Sequence, residues 1–391
     1  MNLLLKDISL SAVTAGFLVV LISYLGPLVI FFQVGSVGNI SSEMMSSWIW
    51  AISIGAGISG IFLSWKYKSP IITSWSAPGS ALLITLIADT SMSFIVGAYL
   101  TAALIIFIIG ATGSFDWLIK HIPKGLAAGM MAGILFQFAL GSFKAIQTMP
   151  LLALGMIFSY LVCKKFFPRL SIVLTLLAGL VTVWLLDQYR VNVIPFELTR
   201  PVFISPAWDF QSTLSLALPL VLVSLSGQYL PGMAILKVSG YNTAAKPLMM
   251  VTSISSFLMA FFGGITIVTA AITAAICTTK DAHPNPDKRY VAGLASGVFF
   301  LIAGFFSTPI VVLFSGFPKE FVAILAGLAL LAAFLSNIST MVEDLEHREA
   351  SFITFLVTAS GVNLLGIGST FWGVVIGGCA YFILKPKVSH D

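Results

Sequence analysis

Apolar residues run along this chain in long stretches broken only by short polar or Gly/Pro punctuation. Stretches of roughly 20 such residues match the hydrocarbon thickness of a bilayer, so each reads as a membrane-embedded segment. Fourteen are predicted. The first seven run Ile8 to Phe32, Ser42 to Trp65, Pro70 to Ala88, Ser91 to Phe115, Lys124 to Phe143, Met149 to Phe166 and Arg169 to Leu186. The second seven run Gln211 to Leu236, Lys246 to Gly263, Gly264 to Cys277, Lys288 to Phe314, Lys319 to Met341, Arg348 to Leu365 and Ser369 to Leu384.

Two of these segments are interrupted, and they resemble each other. Sliding Pro70 to Leu86 by 193 positions superimposes Ile72 on Ile265, Thr73 on Thr266, Ser76 on Thr269, Ala77 on Ala270 and Ala81 on Ala274. In each copy a short β-favouring run opens into small residues and then a helical stretch too short to cross a bilayer alone. A second match, offset by 195, sets Pro123-Lys124 on Pro318-Lys319 and Tyr160-Leu161-Val162 on Phe355-Leu356-Val357. Two seven-segment halves follow, residues 1–187 and 211–391, joined by an external loop over 188–210 with three prolines. Seven is odd, so the second half enters the membrane from the opposite face and the repeat is inverted.

Composition narrows the class. Hydrophobic residues make up 58% of the chain and charged residues 9%, with mean hydropathy +1.02, against roughly 25% charge in soluble domains. No soluble domain fits. The +5 net charge is scattered through loops, which argues for topology and against nucleic acid. With both termini cytoplasmic, 16 of the 20 Lys and Arg residues fall inside; Lys144, Arg190, Arg200 and Lys319 fall outside, as the positive-inside bias requires. Cys163, Cys277 and Cys379 have no metal-ligand spacing and no even count for disulfides. The first apolar run reaches Val34, longer than a secretory signal's apolar region, and is expected to be retained as a span.

Ionisable side chains are almost absent from the apolar spans, and His121, His283, His347 and His390 fall in loops or at the terminus. No catalytic triad, paired buried carboxylates, metal site or phosphate-cradling loop is readable, so neither an enzyme nor a cofactor is expected. What remains at depth is neutral polarity and two helix starts. Pro78 suits the first turn of a helix and biases Ala77 to extended backbone, while Thr269 is the expected N-cap of the second half-helix. Helix N-termini converging from opposite faces offset about one negative charge, which suits a monoanion. A Gly/Ser/Thr packing interface is the plainer alternative. Gln228, amid Ser224, Ser226, Gly227 and Tyr229, is costly against lipid and is expected to face a ligand or a neighbouring helix; Tyr24 and Pro27 of the first span read similarly. Gln137 and Asn337 are expected in helix-to-helix contacts. The Glu343 to Glu349 run reads as a solvated linker, and Lys280 to Arg289, with two prolines, as a rigid loop.

Thr73-Ser-Trp-Ser-Ala-Pro-Gly-Ser-Ala81, Gln228 to Gly232, Ala270 to Cys277 leading to Ala282-His-Pro284, and Thr358 to Gly368 with Phe371-Trp-Gly373 resemble the benzoate:proton symporter (BenE-type) family over essentially the whole chain. That family is distantly similar to nucleobase and sulfate-type anion transporters. The resemblance implies an all-α polytopic membrane protein of fourteen segments, arranged as 7+7 inverted repeats in core and gate domains, with two half-helices each preceded by a short β-strand. It implies uptake of benzoate or a similar aromatic monocarboxylate with a proton through the cell membrane. It places the substrate on Ser76, Ala77, Gly79 and Ser80, on Thr269, Ala270 and Thr273, and on Gln228 and Tyr24. Nucleobase transporters of this fold carry acidic side chains where these stretches offer only Gly, Ser, Gln and Thr, which disfavours a neutral base. Carriage or channelling of another small anion is the alternative, as is a sensor that binds without flux. Whether the gate surface forms a homodimer is left open.

Overall fold

Helices form where the apolar runs lie because a backbone in lipid must satisfy its own hydrogen bonds. The computed structural model describes residues 7–168, 170–190, 193–270 and 273–384; Lys6, Arg169, Lys385, Lys387 and His390, counted above, lie outside them, as do Ala271 and Ile272. The first half contains α1 (Leu10–Leu25), α2 (Val29–Val37), α3 (Ser42–Tyr67), β1 (Thr73–Trp75), α4 (Ala77–Leu82), α5 (Met92–Thr112), α6 (Phe115–His121), α7 (Lys124–Thr148), α8 (Pro150–Phe166) and α9 (Ser171–Leu185). After a connection without regular structure over residues 193–209 come α10 (Phe210–Ser224), α11 (Leu230–Val238), α12 (Ala245–Ala260), β2 (Ile267–Thr269), α13 (Ala274–Thr278), α14 (Tyr290–Phe305), α15 (Ser307–Ser315), α16 (Lys319–Glu343), α17 (Arg348–Ala359) and α18 (Ser369–Ile383). Among the described residues, seven helical stretches are long and apolar enough to cross a membrane.

Two predicted spans are broken. The run Ile8 to Phe32 divides at Gly26-Pro27, where proline supplies no N–H, and Leu28 N–H bridges the break by donating to the Ser23 carbonyl at 3.0 Å. The run Lys288 to Phe314 divides between α14 and α15 at Phe306.

The halves interleave, and two helical groups result. In the core, α1 and α3 pack on α14 while, across the pseudo-symmetry, α10 and α12 pack on α5. Gly57 and Gly297 cross so closely that a Cβ on either would lie 2.8 Å from the other's carbonyl oxygen, the small-residue contact that brings membrane helices together. The gate is built around α7 and α16, with α8, α9, α17 and α18 against them. Its central seam also depends on glycine, since a Cβ on Gly327 would collide with Ser142 Oγ and the Phe138 carbonyl.

Candidate functional site

Ile71 to Trp75 and Ile265 to Thr269 are rich in β-branched residues, which favour extended backbone. Both runs are buried, so their peptide groups need partners, and each supplies the other's. β1 and β2 pair antiparallel with Thr73 opposite Thr269, Ser74 opposite Val268 and Trp75 opposite Ile267. Ser76 N–H to the Thr266 carbonyl (3.0 Å) and Ala270 N–H to the Ile72 carbonyl (2.9 Å) extend the ladder. The register obeys the sequence repeat: Thr73 faces the counterpart of Ser76, and Ser76 faces the counterpart of Thr73. A local two-fold axis therefore passes through the strand crossing, and both half-helices start beside it.

The two starts are built differently. Ser76, extended at φ −75° and ψ 99°, is the N-cap of α4, its Oγ accepting from Gly79 N–H at 3.1 Å. The expected extended residue was Ala77, but that residue is already helical. Pro78 sits in the first turn and has no N–H, while Ala77 N–H has no partner among the described residues and is half-buried. In the second half the N-cap is Thr273, without a side-chain cap bond, and not Thr269. Thr269 still belongs to β2, because pairing with Thr73 holds it extended; its hydroxyl donates to the Gln228 carbonyl at 3.4 Å.

The segment expected as one helix from Gln211 to Leu236 contains a π-turn at Leu225–Tyr229, a local widening common at functional positions. It packs against β2 and the gate helix α7; a Cβ on Gly227 would touch Met131 Cε at 3.5 Å. Gln228 lies in this turn, half-buried. Ser76 and Ser80 are fully buried, and Ser80 Oγ donates to the Ser76 carbonyl at 2.9 Å. Gly79 is covered by Leu220, whose Cδ1 would be 2.5 Å from an added Cβ, so its small size admits helix α10. Tyr24 lies a layer behind: its hydroxyl is 2.6 Å from Ser53 Oγ and its ring meets Trp75 edge-on at 5.9 Å. Ala270 and Thr273 are buried beside the crossing. Gln137 spans helices as expected, donating to the Ala359 carbonyl at 2.6 Å; Asn337 instead donates to Ala333 of its own helix at 2.8 Å.

Three groups were not foreseen. Trp75 Nε1, Ser224 Oγ and Thr266 Oγ1 are buried with no hydrogen-bond partner among the described residues. Such orphans call for a ligand or water. Trp75 and Thr266 belong to the crossing, and Ser224 adjoins the π-turn; the only signals in the sequence were the place of Trp75 and Thr266 inside the paired segments and that of Ser224 in the polar stretch around Gln228.

Beyond α13 the chain is clamped. Arg289, 7% exposed, donates through Nη1 to the Thr278 carbonyl at 2.7 Å and through Nε to the His283 carbonyl at 2.8 Å, satisfying the end of the second half-helix. Nearby, Lys288 Nζ lies 3.0 Å from Asp7 Oδ1, Tyr290 OH donates to Asp7 Oδ2 at 2.9 Å, and Lys68 Nζ stands 4.0 Å from the Tyr290 ring centre. The Lys288 and Tyr290 hydrogen bonds hold the Asp7 carboxyl below the ordinary carboxylate range.

Residues 6–383 match the family described as benzoate membrane transport protein. A benzoate membrane transport protein of Acinetobacter baylyi is 55% identical over 385 residues, covering 98% of each chain. The inner membrane protein YdcO of Escherichia coli is 36% identical over 371 residues, covering 95% of each. Among solved structures, the transmembrane domain of the cyanobacterial bicarbonate transporter BicA superimposes with TM-score 0.60 at 15% identity, covering 95% of this chain and 96% of that one. SLC26A9 gives TM-score 0.64 at 13% identity, covering 95% of this chain and 65% of that one. At such identities the likeness is one of fold, and it is the inverted-repeat fold of core and gate domains described above.

Proposed function

Since the chain belongs to the benzoate membrane transport family, we propose that it carries benzoate or a similar aromatic monocarboxylate into the cell together with a proton, by alternating access. The observation that carries this reading is the strand crossing: two half-helix starts lie beside it, the unpartnered Trp75 Nε1 and Thr266 Oγ1 belong to it, and the unpartnered Ser224 Oγ adjoins the π-turn that packs on β2 and on the gate helix α7, with no charged side chain among them. In this reading the carboxylate lies near Ala77 N–H and the uncapped start of α13. Ser76, Ser80, Thr269, Thr273 and Gln228 supply polar contacts, Ala270 leaves room, Gly79 lets Leu220 of α10 close over the start of α4, and Tyr24 supports Trp75 from behind. With no acidic side chain at the crossing, the proton travels on the substrate's own carboxyl group. Rocking of the core against α7 and α16 then exposes the crossing to each side in turn. The inner membrane with cytoplasmic termini is the proposed location, supported by the charge bias of the loops and by the YdcO relative.

Charge selectivity tests it. Benzoate should displace labelled benzoate from purified protein at pH 7.5 far better than benzamide or the dicarboxylate phthalate, because the second charge of phthalate would be buried without a partner. Benzamide competing as well as benzoate would refute recognition by helix ends. In proteoliposomes, accumulation against a concentration gradient driven by a pH gradient is expected; flux that stops at equal concentrations would indicate a channel, and binding without flux a sensor.

A further inference from the structure

Side-chain hydrogen bonds fasten the core to the gate where α10 begins. Between α17 and α18 of the gate, Leu364 and Ile367 exchange backbone hydrogen bonds, each N–H donating to the other's carbonyl, at 3.1 and 3.0 Å. The two residues between them, Leu365 and Gly366, have φ of 57° and 76°, the positive values that a tight hairpin turn needs at both central positions. Glycine adopts them freely and leucine does not. The Leu365 side chain is 74% exposed, so packing within the chain offsets little of that cost. The turn is held by the core helix α10 instead. Gln211 Nε2 donates to the Leu365 carbonyl at 3.0 Å, and Ser215 Oγ accepts from Gly368 N–H at 2.9 Å. Ser215 is 2% exposed, and its hydroxyl hydrogen goes to the Gln211 carbonyl at 2.7 Å, which leaves its oxygen free to accept from the gate. Gly366 lies so close that a Cβ on it would stand 2.6 Å from Gln211 Cδ.

Packing along this seam is incomplete, since Ile84 and Thr85 of the core and Gly133, Ile134, Gly361 and Thr370 of the gate line a cavity of about 330 Å³. On the same face, where the connection into α10 runs, α2 packs on the gate helix α16 and Phe32 stacks on Phe314 at 4.5 Å. The opposite face differs. There α11, the counterpart of α2, makes no comparable contact with α7, and the loop between α8 and α9 makes no hydrogen bond to the start of α1 among the described residues. A core that rocks against the gate has to break the bonds on the fastened face. We propose that Gln211, Ser215 and the turn over residues 364–368 form a latch that holds core and gate together in this state and lets go when the crossing opens to the face of α10. Strain at Leu365 works against the two bonds, so the latch can part in each cycle. This rests on the reading that the protein works by alternating access.

A disulfide across the latch tests it. A Cβ on Gly368 would lie 3.8 Å from Ser215 Cβ, the usual Cβ separation in a disulfide, and Gly368 has φ −68°, open to any side chain. Ser215→Cys with Gly368→Cys, oxidised by copper phenanthroline in proteoliposomes, should cross-link and lose benzoate uptake by about tenfold or more, recovering on reduction. Labelled benzoate should still bind the cross-linked protein within about twofold of the reduced form, which certifies folding. Either single variant under the same oxidant should keep its uptake, which accounts for Cys163, Cys277 and Cys379. Gln211→Ala, at an exposed position, is the milder companion: hydrogen exchange at the Ile367 and Gly368 amides should quicken about fivefold or more, with exchange in α7 and α16 unchanged. A double variant that fails to cross-link, or that transports as well cross-linked as reduced, overturns the latch and leaves the proposed function standing; so does exchange indifferent to Gln211→Ala. Wild-type protein that binds benzoate but never moves it would instead remove alternating access, the reading on which the latch depends.

Discussion

Replacing Arg289 by alanine tests what holds the second half-helix in place. The guanidinium makes two charge-assisted hydrogen bonds, to the buried Thr278 carbonyl that ends α13 and to the His283 carbonyl in the following loop. Bonds of this kind contribute about 1.5–3 kcal/mol each, so the pair sums to roughly 3–6 kcal/mol. His283 is only half-buried and water can replace that partner, whereas Thr278, 5% exposed, has no such recourse. A loss near 3 kcal/mol is therefore expected, a shift of roughly 150-fold in the unfolding equilibrium. Arg289→Lys keeps the charge but reaches one carbonyl with a single ammonium, and should lose about half as much. Unfolding in detergent micelles measures both variants, and benzoate uptake should show a raised KM because α13 no longer holds its place beside β2. An alanine variant within about 0.5 kcal/mol of wild type, on a scale where each such bond carries at least three times that, would refute the clamp; so would a lysine variant as damaged as the alanine one.

Gly232→Ala places a methyl 2.7 Å from Thr269 Oγ1 and 3.3 Å from the Ala270 carbonyl; overpacking of about 1–3 kcal/mol should displace β2 and weaken benzoate about tenfold in equilibrium binding. Gly327→Ala should separate the gate helices α7 and α16 and lower the melting temperature, while Gly378→Ala, with nothing within 4 Å of the added carbon, should leave it unchanged. Asp7 has a carboxyl pKa below its ordinary 3.8 in the folded protein, so its contribution is present above that value and is lost as pH falls through the depressed pKa. The melting difference between wild type and Asp7→Asn should be steady from pH 8 to 5 and shrink below about pH 4.

Hydrophobic runs reveal where helices lie because lipid leaves the backbone few alternatives, and the fourteen predicted segments match the elements in order. The first half-helix was nearly legible, since proline and serine have strong local preferences, although Ser76 caps one residue before the expected boundary. Its counterpart was not. Thr269 is a good N-cap by composition, but pairing with a strand far away in sequence outweighs a local preference of about 1 kcal/mol, and the helix waits until Thr273. The approach of Leu220 to Gly79, 2.5 Å from where a Cβ would stand, was likewise illegible, because it joins residues far apart in sequence. The Arg289 clamp gave no signal because its acceptors are backbone carbonyls, which every sequence has. The π-turn was equally silent, since widening a helix changes hydrogen bonding without changing which residues are apolar.

Pairing of β1 with β2 bears on how the chain is made. Translation delivers β1 about 200 residues before β2, which at about 5–20 residues per second is a delay of roughly 10–40 s. Throughout that interval the N–H and C=O groups of Thr73 to Ser76 lack the partners they have in the finished protein, and unpaired peptide groups in hydrocarbon cost several kcal/mol apiece. The nascent first half must therefore keep this stretch in the insertion machinery or in a wet crevice, and should be a substrate for quality-control proteases until its mate arrives. A chain truncated before Ile267 should be degraded in cells even if every span it contains is inserted.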